Sequence, residues 1–394
     1  MRLLFTTTPG FSHTTPLLPL AHGARLAGHR VLVVAGGPAL RAAADSGLPT
    51  VDAVPHDDVT RPYAALAAAA AERDIPPDET MRLVFGAFGE ISAMMLEGLV
   101  AAARRWGADA IVYTPMLSSG PIAARAVGAR AVLHGMGLRH PAFPATPALI
   151  EAAGRRYGVD AADLRPDAEL VLAPASLERV NPAAPPPDAA VPTLPTRPGP
   201  DNGGGRVPGW ALSRGRRPRV VVTLGSVPSH TDGRQDVMAA ALTGLADLGV
   251  EAVLTTGGAA LDTLGPLPPW ARAVGFVPLT SLLPSCDAVV HHGGMGTMFS
   301  ALAAGVPQVI VPTTSGDALS NAEVVEKRGT GLGLMPAALS PASLAAAVGE
   351  LLDEPRHRAA SREVAAELTA MPHPGTVADL LAALPFRHRI RTAT

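Results

Sequence analysis

Short runs of β-branched and apolar residues alternate with longer alanine- and leucine-rich stretches along most of the chain. One proline- and glycine-dense interval interrupts them near the middle. In the first half, RLLFTTT (2–8), RVLVVAGG (30–37), AIVYTP (110–115), RAVLHG (130–135) and ELVLAPAS (169–176) read as buried strands. Between the first two, TTPLLPLAHGARLAGH spaces apolar residues three and four apart and predicts one helix capped at Gly28; residues 64–106 predict a long helical stretch. Strand–helix alternation requires parallel βαβ units, because a parallel strand is reached only by a crossover. Residues 182–218 carry more Pro and Gly than a packed element tolerates and read as linker or surface loop. The alternation then restarts with RVVVTLGS (219–226), EAVLTTGG (251–258), RAVGFVP (272–278), AVVHHGG (288–294) and QVIVPTT (308–314), with VMAAALTGLADLG and GTMFSALAAG as helices. The expected division is residues 1–181, a linker at 182–218, residues 219–375, and a C-terminal helix and tail at 376–394 that packs back on the first domain. Ligands of open α/β sheets collect at the carboxyl ends of the strands. Pro9 to His13, Ser226, Gly275 to Pro278, His292 to Thr297 and Thr314 to Asp317 all lie at such ends.

With 394 residues, the chain is long for one core and suits two domains. Lys and Arg number 32 against 34 Asp and Glu, a net charge of -2, which offers no electrostatic case for nucleic acid or an anionic membrane. The single cysteine, Cys286, rules out an intramolecular disulfide and reads as a buried thiol. No apolar run is expected to reach the roughly 18 residues of a spanning helix. MRLLFTTTPG lacks a signal-peptide layout, so a cytoplasmic protein is expected.

AVVHHGGMGT (288–297) is the most informative stretch. Gly293, Gly294 and Gly296 remove Cβ atoms where a polyanion could approach the backbone, and Thr297 is expected to open a helix whose first amides have no internal partner. Such a helix end carries roughly half a positive charge. His292 ends the strand and can donate to a phosphate oxygen, while His291 alternates to the other face and reads as structural. The bland alternative is a tight glycine turn with two hydrogen-bonded core histidines. No Gly-Lys-Ser/Thr follows, which excludes a P-loop, and the spacing and late position argue against a Rossmann cofactor site.

The segment from GFVPLTSLLPSCDAVVHHGGMGT to VVEKRGTG resembles the nucleotide-sugar signature of family 1 glycosyltransferases, most of all the actinomycete enzymes that attach deoxysugars to natural products. The resemblance runs from FTTTPGFSHTTPLLPLAHGARLAGH to the C-terminal helix. It implies an α/β chain of GT-B type, two Rossmann-like βαβ domains facing across a cleft, the first binding the acceptor and the second a nucleotide sugar. It implies that His292 and the amides of Gly294, Met295, Gly296 and Thr297 hold the diphosphate, and that Phe276 and the backbone of Val277 face the nucleobase. It also implies that Ser226 touches phosphate or base, with Asp317 and Asn321 beside the sugar. No metal is expected, since no Asp-x-Asp motif occurs; the HDD at 56–58 reads as solvated loop. Many relatives carry Asp-Gln where this chain has Asp317 and Ala318, and an alanine there suggests a sugar lacking a hydroxyl, as a dTDP-linked deoxysugar.

The same resemblance makes His13 the general base that deprotonates the acceptor hydroxyl, with inversion at the anomeric carbon; the bland reading is a helix-capping histidine. Relatives often orient that histidine with a carboxylate. IVYTPMLSSG offers Thr114 or a serine instead, and Asp109 falls at the wrong end of its strand. Phe85, Phe88, Met94, Met95, Met136 and Phe143 are candidates for an apolar acceptor pocket, each with core packing as the plainer reading. The leading expectation is therefore an inverting glycosyltransferase acting on a hydrophobic natural-product aglycone, with a homodimer permitted. The alternatives are a nucleotide-sugar 2-epimerase-like hydrolytic enzyme, which needs several carboxylates around the sugar where Asp317 stands nearly alone, and a non-catalytic nucleotide-sugar-binding partner, which has no reason to keep His13.

Overall fold

A computed structural model of the chain describes residues 1–72, 77–141, 146–186, 188–200, 203–225, 234–255, 266–312 and 317–385. The chain divides into two compact units. The first contains Met1–Leu172, Ala184–Gly199 and Met371 onward; the second contains Ala173–Ala183 and Pro200–Ala370.

The first unit is built on strands β1 (Arg2–Thr6), β2 (Arg30–Ala35), β3 (Thr50–Asp52), β4 (Ala110–Tyr113), β5 (Arg130–His134), β6 (Ala168–Val171) and β7 (Thr193–Pro195). They form one parallel sheet in the order β3-β2-β1-β4-β5-β6-β7. Alternate residues bury on opposite faces, as a sheet covered on both sides demands. Leu4, Leu32, Val34 and Ile111 join one core, and Leu3, Phe5, Val31, Val33 and Val112 the other. The sheet order reverses between β1 and β4, so loops after these strands leave in opposite directions and open a crevice at their carboxyl ends.

The second unit repeats the plan with β8 (Arg219–Thr223), β9 (Glu251–Thr255), β10 (Ala271–Val274), β11 (Ala288–His291), β12 (Gln308–Ile310) and β13 (Gly331–Gly333) in the parallel order β10-β9-β8-β11-β12-β13. Val220, Val222, Leu254 and Val290 face one core, and Val221, Val253 and Val289 the other. Its order reverses between β8 and β11.

All ten expected strands are present, each ending earlier than the sequence suggests. Three more, β3, β7 and β13, are three-residue edge strands, too short to show any period. Strand β7 corrects the linker expectation. Within the proline-rich interval, Ala184–Gly199 belongs to the first unit, and Pro195 fits because an edge strand leaves one side of its backbone unpaired. Residues 203–225 belong to the second unit, where Ala211 is fully buried and Arg219 and Arg272 stack on Trp210. The helix Pro374–Ala383 lies in the first unit, burying Val377, Ala378 and Leu381. It approaches the helix Leu18–Leu26 so closely that a Cβ on Gly23 would come within 2.7 Å of the Gly375 nitrogen.

Prolines account for another difference. The helix expected between β1 and β2 is divided into Phe11–Thr14, a tight turn Thr15–Leu17 and Leu18–Leu26, because Pro16 and Pro19 cannot donate within a helix and begin new segments. The long helical stretch becomes Arg61–Glu72 and Pro77–Trp106. Within the latter, Met81–Trp106 reaches the length and mean hydropathy (1.6) of a membrane-crossing helix, against the expectation that no run would. Its apolar residues serve the core: Ile91, Met95 and Leu99 are fully buried, while Glu90 and Glu97 on the other side pair with Arg61 and Arg156.

Aspartates just ahead of three strands tie the sheets at their amino ends. Asp109, Asp167 and Asp287 accept from the backbone N–H of Arg2 (2.6 Å), Ala131 (2.8 Å) and Arg219 (2.9 Å). These carboxylates are thereby committed to the end of each sheet opposite its crevice.

Candidate active site

In the first unit, β1 runs into Thr7, Thr8, Pro9 and Gly10, and His13 sits in the one-turn helix Phe11–Thr14. The Gly10 carbonyl accepts from the His13 and Thr14 amides, both at 3.2 Å, which closes that turn. A Cβ on Gly10 would lie 2.7 Å from His13 Cδ2, so glycine lets the imidazole lie against the helix start. The imidazole meets Phe88 edge-to-face (centroids 6.1 Å), and Phe88 meets Tyr63 in the same way (5.9 Å).

The hydroxyl chain stops short of the ring. Thr7 Oγ1 donates to the His13 carbonyl at 3.1 Å and therefore accepts from Thr114 Oγ1, also at 3.1 Å. Thr114, expected to orient the imidazole, bonds Thr7 instead, and it is Thr7 that holds the backbone of residue 13. Ser118 offers its amide to Ser92 Oγ, and Ser119 Oγ is buried without a partner among the described residues. His13 Nδ1 is likewise buried, with no hydrogen-bond partner among the described residues. Burial lowers the His13 pKa to about 4, so at neutral pH the imidazole is uncharged and able to accept a proton, though only as a weak base.

The candidate acceptor residues separate. Phe88 stands against His13; Phe85 is exposed; Met94 is half-buried and packs on the core; Met136 is half-buried. Met95 is fully buried in the core, because it falls on the inward face of its helix. Phe143 lies outside the described residues. Tyr63 went unmarked in the sequence, just ahead of the helical stretch expected at 64–106. Burial raises its phenol to about 12.

In the second unit, β11 ends at His291, which is fully buried. The Gly293 N–H donates to its Nδ1 at 3.2 Å, so the ring proton resides on Nε2 and is given to Gln308 Oε1 at 2.8 Å. Burial lowers its pKa to about 3. His292, at the reversal point of the sheet, is half-buried and packs over two glycines. A Cβ would fall 2.4 Å from its Nε2 at Gly294 and 2.8 Å from its Cε1 at Gly225, which follows β8. Gly293 adopts φ +89°, a left-handed conformation that favours glycine. The helix Met295–Ala304 then starts with Gly294 as N-cap and no side chain capping it. A Cβ on Gly296 would meet no protein atom within 4 Å.

Several expected donor contacts are corrected. The Thr297 amide donates to the Gly294 carbonyl at 3.1 Å, so it closes the first helical turn rather than facing a ligand. Asn321 is fully buried and its Nδ2 donates to the Gly293 carbonyl at 2.7 Å, which makes it a clamp beneath the turn. Ala318 leaves no open gap: it is 1% exposed, and a Cβ on Gly293 would lie 2.9 Å from its own. Its smallness serves the packing of the turn. Val277 buries its side chain in the core, leaving its backbone as the part able to meet a base, while Phe276 is 42% exposed beside Gly205. Asp317 is exposed at the start of the helix Asp317–Arg328. Ser226 lies outside the described residues.

The acidic loop at 56–58 has a local role. Asp58 accepts from the amide (2.9 Å) and hydroxyl (2.6 Å) of Thr60, ahead of the helix Arg61–Glu72. Among the described residues no group of three or more His, Cys, Asp or Glu is arranged to hold a metal. Cys286 donates to the Leu282 carbonyl, and burial pushes its thiol up to about 12.

Two buried imidazoles, His134 and His291, and the half-buried His13 are expected to make the fold acid-sensitive. His134 joins His13 and His291 in being lowered by burial, to about 4. Each binds its proton in the unfolded chain near pH 6.5 but in the folded chain only near 3 to 4. Stability is therefore full above pH 6.5 and lost as the pH falls toward 4, at up to about 1.4 kcal/mol per pH unit for each imidazole. The thermal midpoint should drop markedly between pH 7 and pH 5; an unchanged midpoint would refute this account of the three rings.

The N-terminal-domain model of erythromycin biosynthesis protein CIII-like proteins matches residues 22–225, and the C-terminal-domain model matches residues 239–384. Elloramycin glycosyltransferase ElmGT of Streptomyces olivaceus is 36% identical, over 97% of this chain and 97% of its own. The crystal structure of the glycosyltransferase SnogD from Streptomyces nogalater shares 34% identity at a TM-score of 0.77, covering 97% of this chain and 99% of that one. The crystal structure of the glycosyltransferase VinC in complex with dTDP shares 30% identity at a TM-score of 0.76, covering 97% and 99%.

Proposed function

The chain belongs to the erythromycin biosynthesis protein CIII-like family of GT-B glycosyltransferases, and from that premise we propose that it moves a deoxysugar from a dTDP-sugar onto a hydroxyl of a hydrophobic natural-product aglycone. The first unit binds the acceptor, with His13 as general base. The second holds the donor: His292 and the open amides at the start of Met295–Ala304 take the diphosphate, and Phe276 with the Val277 backbone takes the base. Transfer is a single displacement with inversion, and no protein-bound metal is required, since helix amides and His292 meet the charge that grows on the leaving diphosphate. The buried, unreactive Cys286 is compatible with a reducing cytoplasm.

The observation that carries this reading is the 292–296 turn. Gly225 and Gly294 are bare where His292 packs, and Asn321 clamps the Gly293 carbonyl from below. A chain does not need so constrained a turn merely to join a strand to a helix. Relatives support the donor: VinC has been crystallised with dTDP. Calorimetric titration with dTDP tests the proposal. Saturable binding is expected, with about 2.7 kcal/mol of added stability at a hundred times the Kd. Absence of both heat and thermal shift overturns the donor assignment.

A further inference from the structure

We propose that the hydroxyl glycosylated is phenolic or enolic rather than a saturated alcohol. The proposal rests on the reading above, that His13 is the residue meeting the acceptor. With Nδ1 buried, Nε2 is the ring nitrogen available to an incoming hydroxyl. A histidine that removes a proton from an alcohol becomes an imidazolium, and the usual device for stabilising it is a carboxylate on the other nitrogen. In the Ser-His-Asp triad, replacing that Asp with Asn, which also leaves the histidine in the wrong tautomer, lowers kcat about 10⁴-fold.

Here Nδ1 has no hydrogen-bond partner among the described residues. The hydroxyls of Thr7 and Thr114 are spent on each other and on the His13 carbonyl. Carboxylates on the neighbouring strands are committed elsewhere in the unit, two of them at the opposite end of the sheet: Asp109 to the Arg2 amide, Asp167 to Arg125 and the Ala131 amide, and Glu169 to Arg139. Burial without a counter-charge lowers the basicity of the ring further. Such a base is poorly matched to an alkyl hydroxyl, whose acidity is close to that of water at about 15.7. A phenol, near pKa 10, surrenders its proton roughly five to six orders of magnitude more readily. The surround suits an aromatic acceptor as well, because the half-buried rings of Phe88 and Tyr63 continue edge-to-face from His13.

In the step itself, a lone pair on the phenolic oxygen forms the bond to the anomeric carbon. The bond from that carbon to the diphosphate oxygen breaks, and its electron pair stays on the departing nucleoside diphosphate. The phenolic proton passes to His13 Nε2 and then to water.

The decisive test is competition within one molecule. Purified protein is given a dTDP-deoxysugar and hydroxylated polycyclic aromatic aglycones, each bearing one phenol and one saturated-ring alcohol, and the products are mapped by NMR. Glycosides at the phenol in roughly hundredfold excess are expected, the lower end of what general-base assistance supplies. On phenols of graded acidity, the loss caused by His13→Ala should shrink as the phenol becomes more acidic, an effect a merely structural role would not produce. Alcohol-linked glycosides as the main product overturn the proposal while leaving glycosyl transfer intact. So does the absence of any glycoside from a protein that binds dTDP, whereas failure to bind dTDP overturns the premise instead.

Discussion

His13→Ala is expected to lower kcat for glycosyl transfer by about 10²- to 10⁴-fold, the span typical of a positioned proton acceptor, with dTDP binding retained. The two halves of that expectation separate cleanly because His13 belongs to the first unit and the donor turn to the second. The variant should also fold well. The deletion removes a buried Nδ1 that has no partner among the described residues, a costly atom to keep, and forfeits the edge-to-face contact with Phe88. It should in addition lose part of the acid sensitivity described above, since one of the three low-pKa imidazoles is gone. Steady-state kinetics, dTDP calorimetry and thermal melts on one preparation check all three. Full activity in the variant would sink the base assignment.

The second large effect is expected from a single methyl group at the donor turn. Gly294 has φ -64° and ψ 138°, a conformation any residue can adopt, so Gly294→Ala is not strained in its backbone. Its Cβ would nevertheless fall 2.4 Å from His292 Nε2, and the imidazole must swing away. Losing one hydrogen bond to a charged phosphate should weaken dTDP binding by about 1.5–3 kcal/mol, roughly 10- to 150-fold, with the fold retained. Gly296→Ala provides the contrast. Beyond its own helix and chain neighbours it meets no described atom within 4 Å, and replacing a helical glycine should raise stability by about 0.5–1 kcal/mol. It also sets a methyl beside the open amides and should weaken dTDP binding. A Gly294→Ala protein with unaltered affinity for dTDP would remove His292 from the site.

Much of this molecule was readable before any coordinates. Parallel strands buried on both faces leave nearly continuous runs of Val, Ile and Leu, as in RVVVTLG and QVIV, and such runs need no long-range information. The alternation with helical stretches dictated two parallel-sheet units, and the glycines after His292 marked the one strand–helix turn unlike the others. The edge strands β3, β7 and β13 were invisible because three residues carry no period and their pairing comes from the neighbouring strand.

What required tertiary structure was which atoms are satisfied, and by whom. Thr114 binds Thr7 across 107 positions of sequence, leaving the His13 ring without the partner its neighbourhood suggested. Asn321 reaches back 28 residues to clamp the Gly293 carbonyl, and Ala318 packs against Gly293, where a larger side chain would crowd the turn. Composition and period describe what a segment does with its own neighbours. Hydrogen-bond partners and buried contacts are chosen between segments brought together by the sheets, so a pattern along the chain could name the histidines and glycines of the site but not what each one touches.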